Sequence, residues 1–435
     1  MNHPATRHAF PGAGLAFCAT FLLVLFPPAA ATAQEGPGKE GPAPFATTVE
    51  LTYEANDAVP AQGGGCHRLA ERPAALTKTP EGDLAFFALK LGGATGQNVT
   101  IAYDPENKTL VADCNGNNDL TDDMFLDFTS QGGVASPLLP KEGGTAYRFP
   151  PIELSIPAAG GTVKYRFKCT PTHLNTTGEL FPFMELHPSC WMRGKFSLKG
   201  RKVQVALVDG NVNGRYDEFP VSKASFTYAD RILLDVDGDG VIACDKLTTY
   251  LGYEGFDSNF VWMDNTLLEF TIAPDGRSAA IKEVPTETGS VRGPDGDWTL
   301  SVTSSKGLWH IRGVDGVARV PAGKYGKQRY VLSRKDREGA AWSIVGMWPA
   351  AALGKGPTFT VSAGKKKTVK FGPPLKASLQ TQLQDGSIEI TLTMAGSGGE
   401  QVPGVYREAD RVDSQNYSVL GPDGAPVGKG TMTYG

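Results

Sequence analysis

Three times in this chain a strand-like apolar run ends on an aspartate, and oxygen-bearing side chains then recur at every second position. KVQVALV (202–208) runs into DGNVNGRYDE (209–218), RILL (231–234) into DVDGDGVIACD (235–245), and residues 110–112 into DCNGNNDLTDD (113–123). Asp209, Asn211 and Asn213 hold positions one, three and five of the first loop. Asp235, Asp237 and Asp239 hold them in the second, and Asp113, Asn115 and Asn117 in the third. Position six is Gly214, Gly240 and Asn118, residue types that accept left-handed backbone. Alternate side chains of so tight a loop point inward, and the left-handed turn brings the seventh carbonyl in after them. That is a hard oxygen set suited to calcium; magnesium fits less well, because it prefers near-ideal octahedral geometry and keeps several waters. The bland alternative is that Asp, Asn and Gly are ordinary turn formers on solvated hairpin tips. Recurrence within one chain favours the cation. The Asp113 loop is the weakest copy, since it lacks the glycine.

What flanks the loops constrains the fold. An EF-hand has a helix on both sides, whereas here a strand precedes each loop and Phe219-Pro220 follows the 209–218 loop, where proline opposes a continuing helix. Val163, Tyr165, Phe167 and Cys169 alternate with Lys164, Arg166 and Lys168, and Ile388, Ile390, Leu392 and Met394 alternate with polar residues, both with a period of two. The 53 Gly and 31 Pro among 435 residues suit many short strands joined by turns. The expected class is all-β, in several β-sandwich-like domains with calcium-type loops between strands. Polar, turn-rich text near 284–297 and the Gly372-Pro373-Pro374 break divide it into an N-terminal β region (46–285), a β-sandwich module (290–371) and a C-terminal β module (375–435).

The N-terminus reads as an export signal. Arg7 precedes an apolar run from 15 to 26, and Ala31-Thr32-Ala33 suits cleavage before Gln34, giving a signal peptide over 1–33 and a Gly/Pro linker over 34–45. The run is short for a membrane span, and no later segment reaches 18 consecutive apolar residues, so the mature chain is expected to have no transmembrane segment and to be periplasmic, cell-surface or secreted. A net charge of −4 without a basic stripe gives no footprint for nucleic acid. Outside the cell calcium is plentiful, so loops with dissociation constants of roughly 0.1–1 mM still fill.

The DxNxNGxxD text at 209–217 resembles compact calcium loops found at β-turns of extracellular proteins. That resemblance implies ligation by Asp209, Asn211, Asn213, the Arg215 carbonyl and Asp217, with Glu218 beside them. Carried to the other loops, it implies Asp235, Asp237, Asp239, the Val241 carbonyl and Asp245, and Asp113, Asn115, Asn117, Asp119, Asp122 and Asp123. None has the bidentate twelfth-position glutamate of an EF-hand: those residues are Met124, Pro220 and Lys246. Cys169, His173, His187 and Cys190 form a fainter constellation, read as a zinc set, a Cys169–Cys190 disulfide, or unlinked residues of which Cys169 faces a core.

The layout as a whole is similar to a group of exported bacterial multi-domain β proteins of uncharacterised activity, which carry a D-x-N-x-N-x-D-L-T-D-D loop and then a paired DxNxNG and DxDGDG block. Val320-Pro321-Ala322-Gly323-Lys324-Tyr325 resembles a strand of carboxypeptidase-regulatory-like or transthyretin-like modules, which are non-catalytic. The resemblance implies calcium binding and extracytoplasmic life and supplies no reaction. The expectation for the chain is a non-enzymatic exported β protein with structural calcium, in a binding or scaffolding role at or near the cell surface, towards a glycan or a cell-surface protein. For a glycan, the expected platform draws on Trp191, Trp262, Trp342 or Trp348. The rival expectation is a carbohydrate-active or other hydrolytic enzyme with a carboxylate site stabilised by calcium.

Overall fold

The computed structural model describes residues 44–433, apart from 58–63, 93–95, 135–142, 159–160, 220–228, 237, 243–254, 257, 350–355, 385–386, 409, 413 and 421–422. The expected signal peptide (1–33), linker residues 34–43, Asp237 and Asp245 therefore lie outside the described residues.

Among the described residues the regular elements are strands, so the chain is all-β with several sheets, consistent with β-sandwich-like domains. None of these residues forms a helix long and apolar enough to cross a membrane. Alternation does what period two dictates: in Gly161–Thr170, Val163, Tyr165, Phe167 and Cys169 are buried, while Lys164 and its polar neighbours face outward.

Residues 46–283 build one main core from several sheets, with smaller clusters around Trp191 and Leu76. Ala85–Leu91, Gln97–Asp104, Thr109–Ala112 and Leu126–Asp127 form an antiparallel meander in chain order. A five-stranded sheet runs Gly255–Phe256, Arg231–Leu234, Arg201–Val208, Cys190–Leu198, Thr52–Ala55. Ile152–Ala158 and Gly161–Thr170 lead a third sheet, and their inward rows meet Phe87, Ile101, Val205 and Phe270 in a single cluster. Phe45, at the end of the expected linker, packs on this core, and its carbonyl accepts the Glu283 N–H at 2.8 Å.

A second core gathers Trp298, Leu300, Tyr325, Tyr330, Trp348 and Phe371. Its main sheet continues across the Gly372–Pro374 break, because Ala341–Met347 pairs with Gln401–Arg407. Glu400 links the segments: fully buried, it accepts the Gly372 N–H at 2.5 Å and the Gly398 N–H at 2.9 Å.

These topologies place each Asp-led loop between neighbouring antiparallel strands. The 113–123 loop joins Thr109–Ala112 to Leu126–Asp127, and the 209–218 loop lies between Arg201–Val208 and Arg231–Leu234. The loop opened by Asp235 leaves that last strand. Asp113 and Asp235 still belong to their ladders, their N–H groups reaching the Thr100 carbonyl at 2.9 Å and the Gln204 carbonyl at 3.1 Å.

Candidate metal centre

All three loops open with the same backbone pattern. The leading aspartate, 1% exposed in each case, accepts the N–H of the sixth residue: Asn118 on Asp113 at 3.1 Å, Gly214 on Asp209 at 2.5 Å, Gly240 on Asp235 at 3.0 Å. Third-position oxygens accept the fifth N–H in two loops, Asn117 on Asn115 at 2.9 Å and Asn213 on Asn211 at 3.2 Å. Fifth-position oxygens accept the seventh N–H in all three, Asp119 on Asn117, Arg215 on Asn213 and Val241 on Asp239, at 2.7 to 2.9 Å. Positions four and six are left-handed throughout: Gly116 and Asn118, Val212 and Gly214, Gly238 and Gly240. Asp113 Oδ2 and the side-chain oxygens of Asn115, Asn117, Asn211 and Asn213 each keep a second lone pair, whereas Asp209 Oδ2 also accepts the Tyr165 hydroxyl.

Val212 is the exception in residue type. A β-branched residue at φ 59° costs on the order of 1–3 kcal/mol. Its side chain is fully buried in the first core, and that packing holds the strained turn.

The 209–218 loop is the most enclosed. Tyr165 donates its hydroxyl to Asp209 Oδ2 at 2.6 Å, and Val212, Gly214 and Tyr216 are buried with it. A second buried carboxylate, Asp230, accepts the Gly210 N–H on Oδ1 at 3.2 Å and the Glu218 N–H on Oδ2 at 2.6 Å. Burial raises both acids above the usual carboxylate range, and Asp230 rises further because ionised Asp209 repels its charge. Glu218 faces the loop's amides: its Oε2 accepts Nδ2 of Asn211 at 2.8 Å and Nδ2 of Asn213. The Asp217 carboxylate is taken by the Arg215 guanidinium, Nε to Oδ1 at 3.0 Å and Nη2 to Oδ2 at 2.8 Å.

The 113–123 loop lies at the surface. Asp122 accepts the side-chain amides of Asn115 at 3.3 Å and Asn117 at 2.8 Å, while Lys78 engages Asp119 at 2.5 Å and holds its carboxyl down at about 2. Asp123 accepts the Cys114 N–H at 3.2 Å, but its Oδ2 is buried with no hydrogen-bond partner, and burial pushes its pKa up. The charges of Asp113, Asp122 and Asp119 push it up further, and an orphaned buried carboxylate oxygen in such company is one that a cation would satisfy. In the Asp235 loop, Val241 is exposed and Asp239 holds its N–H.

The donor chemistry therefore fits a hard cation, with much of it amide and carbonyl oxygen rather than carboxylate. Among the described residues no group of three or more His, Cys, Asp or Glu side chains converges on a metal-sized point, the acid-rich 113–123 loop included.

The other sequence constellation is dispersed. Cys169 and Cys190 are buried free thiols, His173 bonds the Tyr103 hydroxyl and the Gly178 carbonyl, both at 2.9 Å, and His187 is half-exposed beside Glu185. Trp191 and Trp348 lie in cores and offer no open face, and Trp342 lies beneath Arg407. The exposed large apolar residues include Met124, Phe125 and Phe128, just past the 113–123 loop.

Sequence reasoning missed Asp230 and Tyr165. Tyr165 carried a signal, since a tyrosine on the apolar face of a strand needs a hydroxyl partner. Asp230 carried only its place before RILL.

Comparison with family models, with curated proteins and with solved structures finds no match to this chain.

Proposed function

We propose that this chain is an exported β protein whose Asp/Asn loops hold calcium as structural clips, serving in binding or scaffolding at or near the cell surface, with a glycan or a cell-surface protein as partner. The observation that carries the calcium reading is the shared geometry: one hydrogen-bond pattern and one pair of left-handed positions in three loops of different sequence. The buried, mutually repelling Asp209 and Asp230 and the orphaned Asp123 oxygen support it, because each is costly without a positive charge nearby. Bound calcium would supply that charge. Asp209, Asn211, Asn213 and the Arg215 carbonyl would hold it in the central loop, with Glu218 the nearest acid. At free calcium 100-fold above the dissociation constant, each filled loop adds about 2.7 kcal/mol to stability. That is a large share of a domain's margin of roughly 5–15 kcal/mol.

Thermal unfolding of the full chain in EDTA, in millimolar calcium and in millimolar magnesium tests the reading. A rise in midpoint specific to calcium, lost in Asp209→Ala, is expected. Midpoints that ignore calcium would reduce the loops to ordinary turns.

A further inference from the structure

Asp230 stands outside the Asp/Asn pattern, yet it grips both ends of the 209–218 loop. One oxygen takes the N–H of the loop's second residue, Gly210, and the other takes that of its tenth, Glu218. The side chain is fully buried and the Gly210 N–H is buried with it, so that donor has no water as an alternative partner while the loop is closed. Glu218 is also the residue whose carboxylate gathers the Asn211 and Asn213 amides. Fixing its backbone therefore fixes where that carboxylate stands. Gly210 is held from its other side by Ala229, whose carbonyl a Cβ at position 210 would strike.

We propose that Asp230 is the positioning residue that closes the 209–218 loop around its cation; the inference rests on the calcium reading of that loop. Asp230 ligates nothing itself. It sets the distance between the loop's first ligands and Glu218, as outer hydrogen-bond partners set ligand geometry at metal sites generally.

Calcium titration calorimetry on the full chain tests this with wild type, Asp230→Asn and Asp104→Asn. Asparagine at 230 keeps the size but turns an NH2 towards one of the two N–H donors. Asp104 is the control: its carboxylate likewise accepts two backbone N–H groups, those of Glu106 and Asn107, in a hairpin turn outside the calcium-type loops. Asp230→Asn is expected to weaken calcium binding about 10- to 100-fold. Asp104→Asn should lower the unfolding midpoint without moving the affinity. Equal affinity in wild type and Asp230→Asn overturns the positioning role and leaves the calcium reading standing; a wild type that takes up no calcium overturns both. Should Asp230→Asn fail to fold, amide hydrogen exchange on wild type decides. Calcium must then slow exchange at Gly210 and Glu218 together, and exchange there indifferent to calcium overturns the role.

Discussion

The loops at 113–123 and 209–218 share a hydrogen-bond pattern and differ in what surrounds it. At 113–123 the apex, Asn115 to Asn117, is exposed, three of its acids (Asp119, Asp122 and Asp123) lie beyond that apex, and Lys78 already neutralises one of them. At 209–218 the apex is packed into the first core: Gly214 lies where a Cβ would come 2.7 Å from Ile156 Cδ1 and 2.9 Å from the Gly92 nitrogen, and the Gly92 N–H bonds the Asn213 carbonyl at 2.7 Å. The same local sequence code therefore serves two ends. A surface loop answers mainly to itself, whereas a buried one is a joint between sheets.

That contrast is breakable, most strongly at the leading aspartates. Asp209→Ala strands the Tyr165 hydroxyl and the Gly214 N–H in the interior, while the Asn213 N–H keeps its bond to Asn211, and each buried orphan costs about 1–3 kcal/mol. A loss of about 3 kcal/mol or more is expected in millimolar calcium, by urea unfolding. Asp113→Ala, whose orphaned N–H groups sit close to water, should lose about 1 kcal/mol. Equal losses would erase the distinction.

Next come the sixth-position glycines. Gly214→Ala combines left-handed backbone with contact against Ile156 and Gly92, for about 3 kcal/mol. Gly240→Ala has the same backbone but meets only Gln204 Nε2 at 3.5 Å, so about 1 kcal/mol is expected. Thermal midpoints of the two variants order them.

The pH response sharpens the contrast further. Asp209 and Asp230 have native pKa values raised above the unfolded value of roughly 4. The folded chain therefore holds protons that the unfolded chain has released. Their contribution is complete below about pH 4 and is lost as pH rises towards the raised native values. In EDTA the midpoint should fall from about pH 5 to about pH 8, and in millimolar calcium, which favours the ionised forms, that slope should flatten. A midpoint rising with pH in EDTA would contradict the buried-acid picture. The smallest effect belongs to the surface: Lys78→Ala should leave the midpoint near wild type, because exposed ion pairs contribute little.

The strands and loops were legible because both rest on short-range rules. Period two exposed the inward row of 163–169, and alternating Asp and Asn before glycine exposed the left-handed sixth position. What stayed hidden depends on partners distant in sequence. Val212 in left-handed backbone is a choice no propensity makes; it is imposed by the core around it. Asp230 bonds residues twelve and twenty positions away. The pairing of Ala341–Met347 with Gln401–Arg407 crosses a Gly-Pro-Pro break that reads locally as a boundary. The tryptophans named as a platform were judged by residue type, and type alone does not say which of them a core will take.

Anomalous difference density from crystals of the full chain grown in millimolar calcium would locate any bound ion without relying on stability. A calcium peak enclosed by Asp209, Asn211, Asn213 and the Arg215 carbonyl is the predicted result. A well-ordered 209–218 loop with no peak there would contradict the role given to calcium.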